Sequence, residues 1–90
     1  NVTKFQVGDY VACAGANYAH HADFVTIPQN LAAKIYDTEI LKHASFTTIG
    51  SIALQGIRRA NLQIGETVCI LGLGLIGQIT LQLAKLAGCR

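Results

Sequence analysis

Ninety residues, 51% hydrophobic and 13% charged, allow one small domain or pieces of two, and they are apolar for so short a chain. The net charge of +2 comes from scattered groups, Arg58-Arg59 being the only adjacent basic pair, which argues against an electrostatic nucleic-acid binder; no apolar stretch reaches about 18 residues, which argues against a transmembrane helix. Cys13, Cys69 and Cys89 are odd in number and lack a C-x-x-C, which argues against a disulfide framework or a zinc ribbon and fits small core thiols in a cytoplasmic protein.

The apolar excess points to a piece of a larger protein or to a chain that self-associates. Asn1 is not a natural start, nor Cys89-Arg90 a natural end. No signal peptide is visible, although an N-terminal segment outside these residues would hide one.

In chain order, Phe5-Gln6-Val7-Gly8-Asp9 reads as a turn and residues 10–13 as a short strand. Residues 14–19 are small and form a loop. Residues 22–27 are rich in β-formers and are ended by Pro28, which predicts a second strand. His20-His21 is a poor chelate, because adjacent side chains on a strand point to opposite faces. Residues 29–34 read as a connector anchored by Leu31 and Ile35. Asp37-Thr38 can N-cap a short helix with Glu39 in its first turn, where a negative charge is favoured. His43 reads as a surface or capping residue near a helix boundary.

From Ser45 to Asn61 a longer helix is expected. Ile49, Ile52, Ala53, Gly56, Ile57 and Ala60 share one face, and Gly50 and Gly56 make sense if another backbone packs closely there. Arg58-Arg59 at its end reads as a solvated face or as a partner for a 2′-phosphate. Residues 61–66 return the chain to an uncharged apolar run, 68–71, which suits a parallel strand buried on both faces. Residues 75–87 read as an almost wholly apolar helix with Ile76, Ile79, Leu83 and Ala87 in phase and a narrow polar arc of Gln78, Gln82 and Lys85, stopped by Gly88.

Between strand and helix stand three glycines spaced G-x-G-x-x-G. Gly72 allows a tight turn, Gly74 lets a pyrophosphate approach the backbone, and Gly77 lets the helix lie close on the strand. The helix N-terminus offers free N–H groups and a positive dipole end to phosphate. Nine glycines in ninety residues make the bare pattern unspecific, so its weight comes from the strand before it and the helix after it.

Val7-Gly8-Asp9-Tyr10-Val11, then Ala22-Asp23-Phe24-Val25-Thr26-Ile27-Pro28, then Gly65-Glu66-Thr67-Val68-Cys69-Ile70-Leu71-Gly72-Leu73-Gly74 resemble the medium-chain dehydrogenase/reductase superfamily, the alcohol-dehydrogenase-like group with a GroES-like domain and a Rossmann domain. Gln55 to Ala60 and Cys13-Ala14-Gly15 also look like the bi-domain oxidoreductases of bacterial polysaccharide biosynthesis. The resemblance implies an α/β fragment. In it, residues 1–37 are the end of a GroES-like β domain and 38–64 a crossing helical segment. Residues 65–90 are the first strand and helix of a Rossmann domain.

It implies a nicotinamide cofactor, NAD or NADP, held by Gly72, Leu73, Gly74, Leu75, Ile76 and Gly77, and a small alcohol, aldehyde or sugar substrate in the parent protein. Thr47 and Ser51, one helical turn apart, would lie near the nicotinamide; as residues they serve equally well for capping or for bonding back within the helix. Relatives with catalytic zinc often carry a Cys at the position that falls on Thr47, and a hydroxyl is a poor zinc ligand. A four-cysteine structural zinc lobe has no room between the two N-terminal motifs, where only Cys13 is present. The sequence therefore nominates no metal ligand and no catalytic residue, and catalytic zinc would need an upstream or substituted ligand. The isolated fragment is expected to be inactive. The alternative of another class is a non-catalytic module that uses turn and helix for packing or self-association. A domain binding another nucleotide such as S-adenosylmethionine fits less well with the β-rich first third.

Overall fold

The computed structural model describes residues 2–90. The chain divides into two compact units, and the division falls between Thr48 and Ile49.

The first unit is built on a two-stranded antiparallel sheet, β1 (Val11–Cys13) and β2 (Ala32–Lys34). Val11 lies opposite Lys34, Ala12 opposite Ala33 and Cys13 opposite Ala32. Two further backbone bonds extend the ladder: Ile35 N–H donates to the Tyr10 carbonyl and Ala14 N–H to the Leu31 carbonyl, each at 2.9 Å. The partner of β1 is thus not segment 22–27, where a second strand was expected; it runs as bends and irregular chain and joins no ladder among the described residues. The Val- and Ile-rich segment has the higher β-propensity. The alanine-rich one has the ladder partner, and pairing overrides propensity.

An ion pair locks this register. Lys34 Nζ lies 2.6 Å from Asp9 Oδ1, tying the residue that leads into β1 to the end of β2. Asp9 also accepts the Gln6 N–H at 2.9 Å, closing the Phe5-to-Asp9 turn. The same ammonium sits 5.7 Å from the centroid of the Tyr36 ring. Between the strands, the Gly15 carbonyl accepts from the N–H groups of Tyr18 (3.2 Å) and Ala19 (3.0 Å), so the expected loop is a closed turn.

After β2 the Asp37 side chain accepts the Glu39 N–H at 2.9 Å, the N-cap expected from the sequence. It starts a 3-10 turn, Thr38–Ile40, which leads into α1 (Leu41–Ala44). The long helix α2 follows as Thr47–Ala60. Its Ala53 is buried, with Ile49 and Ile57 half-buried one turn to either side, whereas Ile52 is exposed. A Cβ at Gly50 or Gly56 would meet nothing within 4 Å, so the close backbone approach expected at these glycines is not found.

The second unit closes with α3 (Leu75–Leu86). Its end is a Schellman cap: Cys89 N–H donates to the Ala84 carbonyl and Gly88 N–H to the Lys85 carbonyl, both at 3.0 Å. Gly88 occupies the left-handed position at φ 86°. The chain then runs back beside residues 65–68. Arg90 N–H donates to the Glu66 carbonyl (2.8 Å) and Val68 N–H to the Arg90 carbonyl (2.7 Å), the alternation of a parallel ladder.

Residues 68–71 alternate as a strand does. Val68 and Ile70 are half-buried and share an apolar groove with Leu81 and Ala84 of α3. Thr67, Cys69 and Leu71 are exposed on the other side. One face of this segment is therefore covered, not both, and Cys69 is a surface thiol, not a core one. Residues 68–71, expected as a strand, run extended without forming a regular one.

Little apolar surface is fully removed from water. Ala53 and Ala84 are the buried hydrophobics among the described residues, while Phe24 and Leu71 are each 93% exposed.

Candidate functional site

The candidate site is the turn between residues 68–71 and α3. Gly72 adopts φ 92°, a left-handed conformation that side-chain-bearing residues rarely take. Gly74 is the N-cap of α3 at φ −69° and ψ −171°, and no side chain caps this helix end. The N–H groups of the first turn are thus unclaimed by any capping side chain, and the positive end of the helix dipole lies behind them.

The glycines differ in what surrounds them. A Cβ at Gly74 would meet no atom within 4 Å, so this position borders open space in which a ligand oxygen can approach the backbone. A Cβ at Gly77 would run into the Gly72 carbonyl oxygen and lie 3.0 Å from its carbon, with Ile70 Cγ2 at 3.8 Å. Gly77 is where helix and turn touch. Leu73, Leu75 and Ile76 project outward and are about half exposed or more.

Gln78, which the sequence offered only as part of a narrow polar arc, belongs to this turn. Its backbone N–H donates to the Gly74 carbonyl at 2.9 Å and its side-chain Nε2 to the Leu73 carbonyl at 3.3 Å. The signal for it was its place, four residues after the second glycine, where a long amide reaches back over one helical turn.

Thr47 and Ser51 stand one turn apart on α2, on either side of the division between the units. The Thr47 hydroxyl donates to the Ala44 carbonyl at 2.6 Å and bridges α1 to α2. Thr48, not singled out from sequence, donates its hydroxyl to the Cys13 carbonyl at 3.2 Å and ties the start of α2 to the end of β1. His20 and His21 are both exposed, and among the described residues no group of three or more His, Cys, Asp or Glu is placed to hold a metal ion. No described helix is long and apolar enough to cross a membrane.

Asp9 is the one described carboxyl held below its ordinary value of 3.8, first by the Lys34 ammonium and then by the Gln6 N–H. That perturbation belongs to the sheet register, away from the glycine turn in sequence and in unit. The glycine turn itself carries no titratable side chain, so what it offers a ligand is its backbone N–H groups and the positive end of the helix dipole.

The chain is similar to dehydrogenases. It is 34% identical over 88 residues to D-guloside 3-dehydrogenase of Escherichia coli, an alignment covering 98% of this chain and 25% of that protein. It is 37% identical over 71 residues to alcohol dehydrogenase patD of Aspergillus clavatus, covering 78% of this chain and 18% of the relative. Alcohol dehydrogenase notN of an Aspergillus species is 32% identical over 88 residues, 96% of this chain and 26% of the relative. The chain thus spans about a quarter or less of the length of these relatives. No protein-family model matches it, and no solved structure does.

Proposed function

We propose that this chain is part of a nicotinamide-dependent oxidoreductase of the medium-chain dehydrogenase/reductase type, and that its glycine turn holds the pyrophosphate of NAD or NADP. The observation that carries this is the contrast at the glycines: open space at Gly74, at the mouth of an uncapped helix N-terminus, against close contact at Gly77. A pyrophosphate needs that opening, and the strand-to-helix packing behind it needs that contact. Similarity to dehydrogenases along almost the whole chain supports the same assignment.

The domain reading that goes with it takes residues 1–37 as the end of a GroES-like domain and 38–64 as the crossing segment. Residues 65–90 are the opening of a Rossmann domain. The parallel bonds between Arg90 and residues 66–68 support that opening, since the second strand of such a domain lies beside the first. Gly72, Gly74 and Gly77, with the N–H groups of Leu75 and Ile76, bind the pyrophosphate, and Leu73 spans the turn. Thr47 and Ser51 lie toward the nicotinamide. The cofactor, when bound, supplies the hydride acceptor or donor. The substrate is an alcohol, aldehyde or sugar, in keeping with the names of the relatives, and the acid–base groups come from parts of the parent outside these ninety residues.

Calorimetric titration with NADH and NADPH tests this directly. Binding of one of them to the wild-type chain, and its loss in Gly74→Asp, is the expected result. Equal affinity in the two proteins overturns the assignment of the glycine turn.

A second reading, a packing or self-association module, is favoured by the exposure of Phe24, Ile64, Leu71 and Leu86. Light scattering on dilute protein separates the two: a stable monomer counts against self-association.

A further inference from the structure

We infer that Gln78 is the positioning residue of the glycine turn: it aims the N–H groups of Gly74 and Leu75 at the bound anion. This rests on the reading that the turn binds a pyrophosphate. The geometry follows from peptide planarity. In a trans peptide the C=O of one residue points opposite to the N–H of the next, and no described peptide bond is cis. The Leu73 carbonyl shares its plane with the Gly74 N–H, and the Gly74 carbonyl shares its plane with the Leu75 N–H.

Gln78 holds both carbonyls. Its side-chain amide donates to Leu73 O at 3.3 Å, and its backbone N–H donates to Gly74 O at 2.9 Å. Two consecutive carbonyls are drawn toward the helix by one residue, so the two N–H groups across those planes face away from it, into the open space beside Gly74. The bond to Gly74 O is the ordinary first bond of an α-helix and forms with any residue at position 78. The bond to Leu73 O lies outside the helix ladder and depends on the side chain.

Without it the Leu73–Gly74 peptide has no restraint of its own. That plane turns about ψ of Leu73 and φ of Gly74, and at Gly74 no Cβ limits the rotation. Rotation would turn the Leu73 oxygen toward the anion, replacing an attraction by a repulsion. Gln82 continues the pattern, its Nε2 donating to the Gln78 carbonyl at 3.3 Å.

Gln78→Met keeps the length and helix propensity and removes the donor. ADP-ribose, which carries the pyrophosphate without the nicotinamide, serves as the probe, followed by NMR at the amides of Gly74, Leu75 and Ile76. The wild-type chain is expected to bind with shifts at all three. Gln78→Met is expected to bind about fivefold more weakly, the loss of one net hydrogen bond, with the Gly74 amide displaced before any ligand is added. The Ala87, Gly88 and Cys89 amides of the helix cap, unchanged in the variant, report that α3 is intact. Gln78→Glu, a carboxylate with no proton to donate at neutral pH, is expected to bind more weakly still and to recover toward the wild type as the carboxyl is protonated. Gln78→Met binding as tightly as wild type, with the Gly74 amide unmoved, overturns the role of Gln78 and leaves the pyrophosphate assignment standing. Absence of any shift in the wild-type chain overturns both.

Discussion

The carbonyl oxygen of Gly72 occupies the place where a side chain at Gly77 would begin. A methyl group at residue 77 would run into that oxygen and sit 3.0 Å from the carbon that bears it. The first turn of α3 thus seats directly on the backbone that precedes it, with Ile70 beside the contact. Gly77→Ala is expected to destabilise the second unit by about 1–3 kcal/mol, the range for overpacking where the neighbour is backbone and cannot rotate away. Thermal unfolding followed by circular dichroism checks this. A melting temperature equal to that of the wild type would show that the contact is absent in solution.

Gly74→Asp is expected to have the opposite sign. The backbone at Gly74 is extended, an Asp fits it without strain, and a Cβ there meets nothing within 4 Å. Aspartate is a better N-cap than glycine and its charge suits the helix dipole, together worth roughly 0.5–1 kcal/mol. Stability should therefore rise while NADH binding disappears, because the carboxylate takes the place of the phosphate and repels it. Gain of stability with loss of binding marks a position kept as glycine for a ligand. Loss of both would mark one kept for packing.

The glycine turn and α3 were legible in the sequence because the information is local: three glycines, an apolar run and a helical period lie within twenty residues. The pairing of β1 was not. Residues 22–27 carry the β-branched and aromatic side chains, yet Ala32 to Lys34 make the ladder, since register is decided by a partner and by the Asp9–Lys34 link. Cys69 is exposed, against expectation, for a related reason. An uncharged run reads as buried on both faces, but the covering of the second face must come from elements the pattern of residues 68–71 does not contain. Gln78 was hidden because an amide on a polar arc looks like solvent-facing surface; only the distance to the Leu73 carbonyl separates it from Gln82 or Lys85.

The Asp9–Lys34 pair sets a pH dependence for the first unit. The Asp9 carboxyl is held below its ordinary 3.8 by the Lys34 ammonium and the Gln6 N–H, so the folded state favours the charged form. Its contribution is fully present above the unfolded value and is lost as pH falls through the lowered folded value. Asp9→Asn should accordingly be less stable than wild type at neutral pH, by a margin that stays constant down to about 3.8 and then shrinks toward zero. Urea unfolding of the two proteins across pH 2–7 checks it on that carboxylate scale. A margin that is the same at both ends of the range would show that the charge is not the origin of the difference.

The return of the chain after α3 depends on Gly88. Gly88 sits at φ 86°, and a Cβ there would lie 3.2 Å from Ile64 Cγ2. Gly88→Ala combines a left-handed strain of about 1–2 kcal/mol with crowding against a side chain that is itself largely exposed and can yield. The strain is therefore the larger effect. Its consequence reaches past the cap, because Gly88 O accepts the Gly65 N–H at 2.8 Å and Arg90 next lays its two bonds along Glu66 and Val68. Gly88→Ala should lower the melting temperature. It should also speed hydrogen exchange at the Gly65, Val68 and Arg90 amides more than at those in the middle of α3. Exchange accelerated equally along the whole helix would mean that the parallel pairing and the helix open as one unit, and that the cap is not the joint between them.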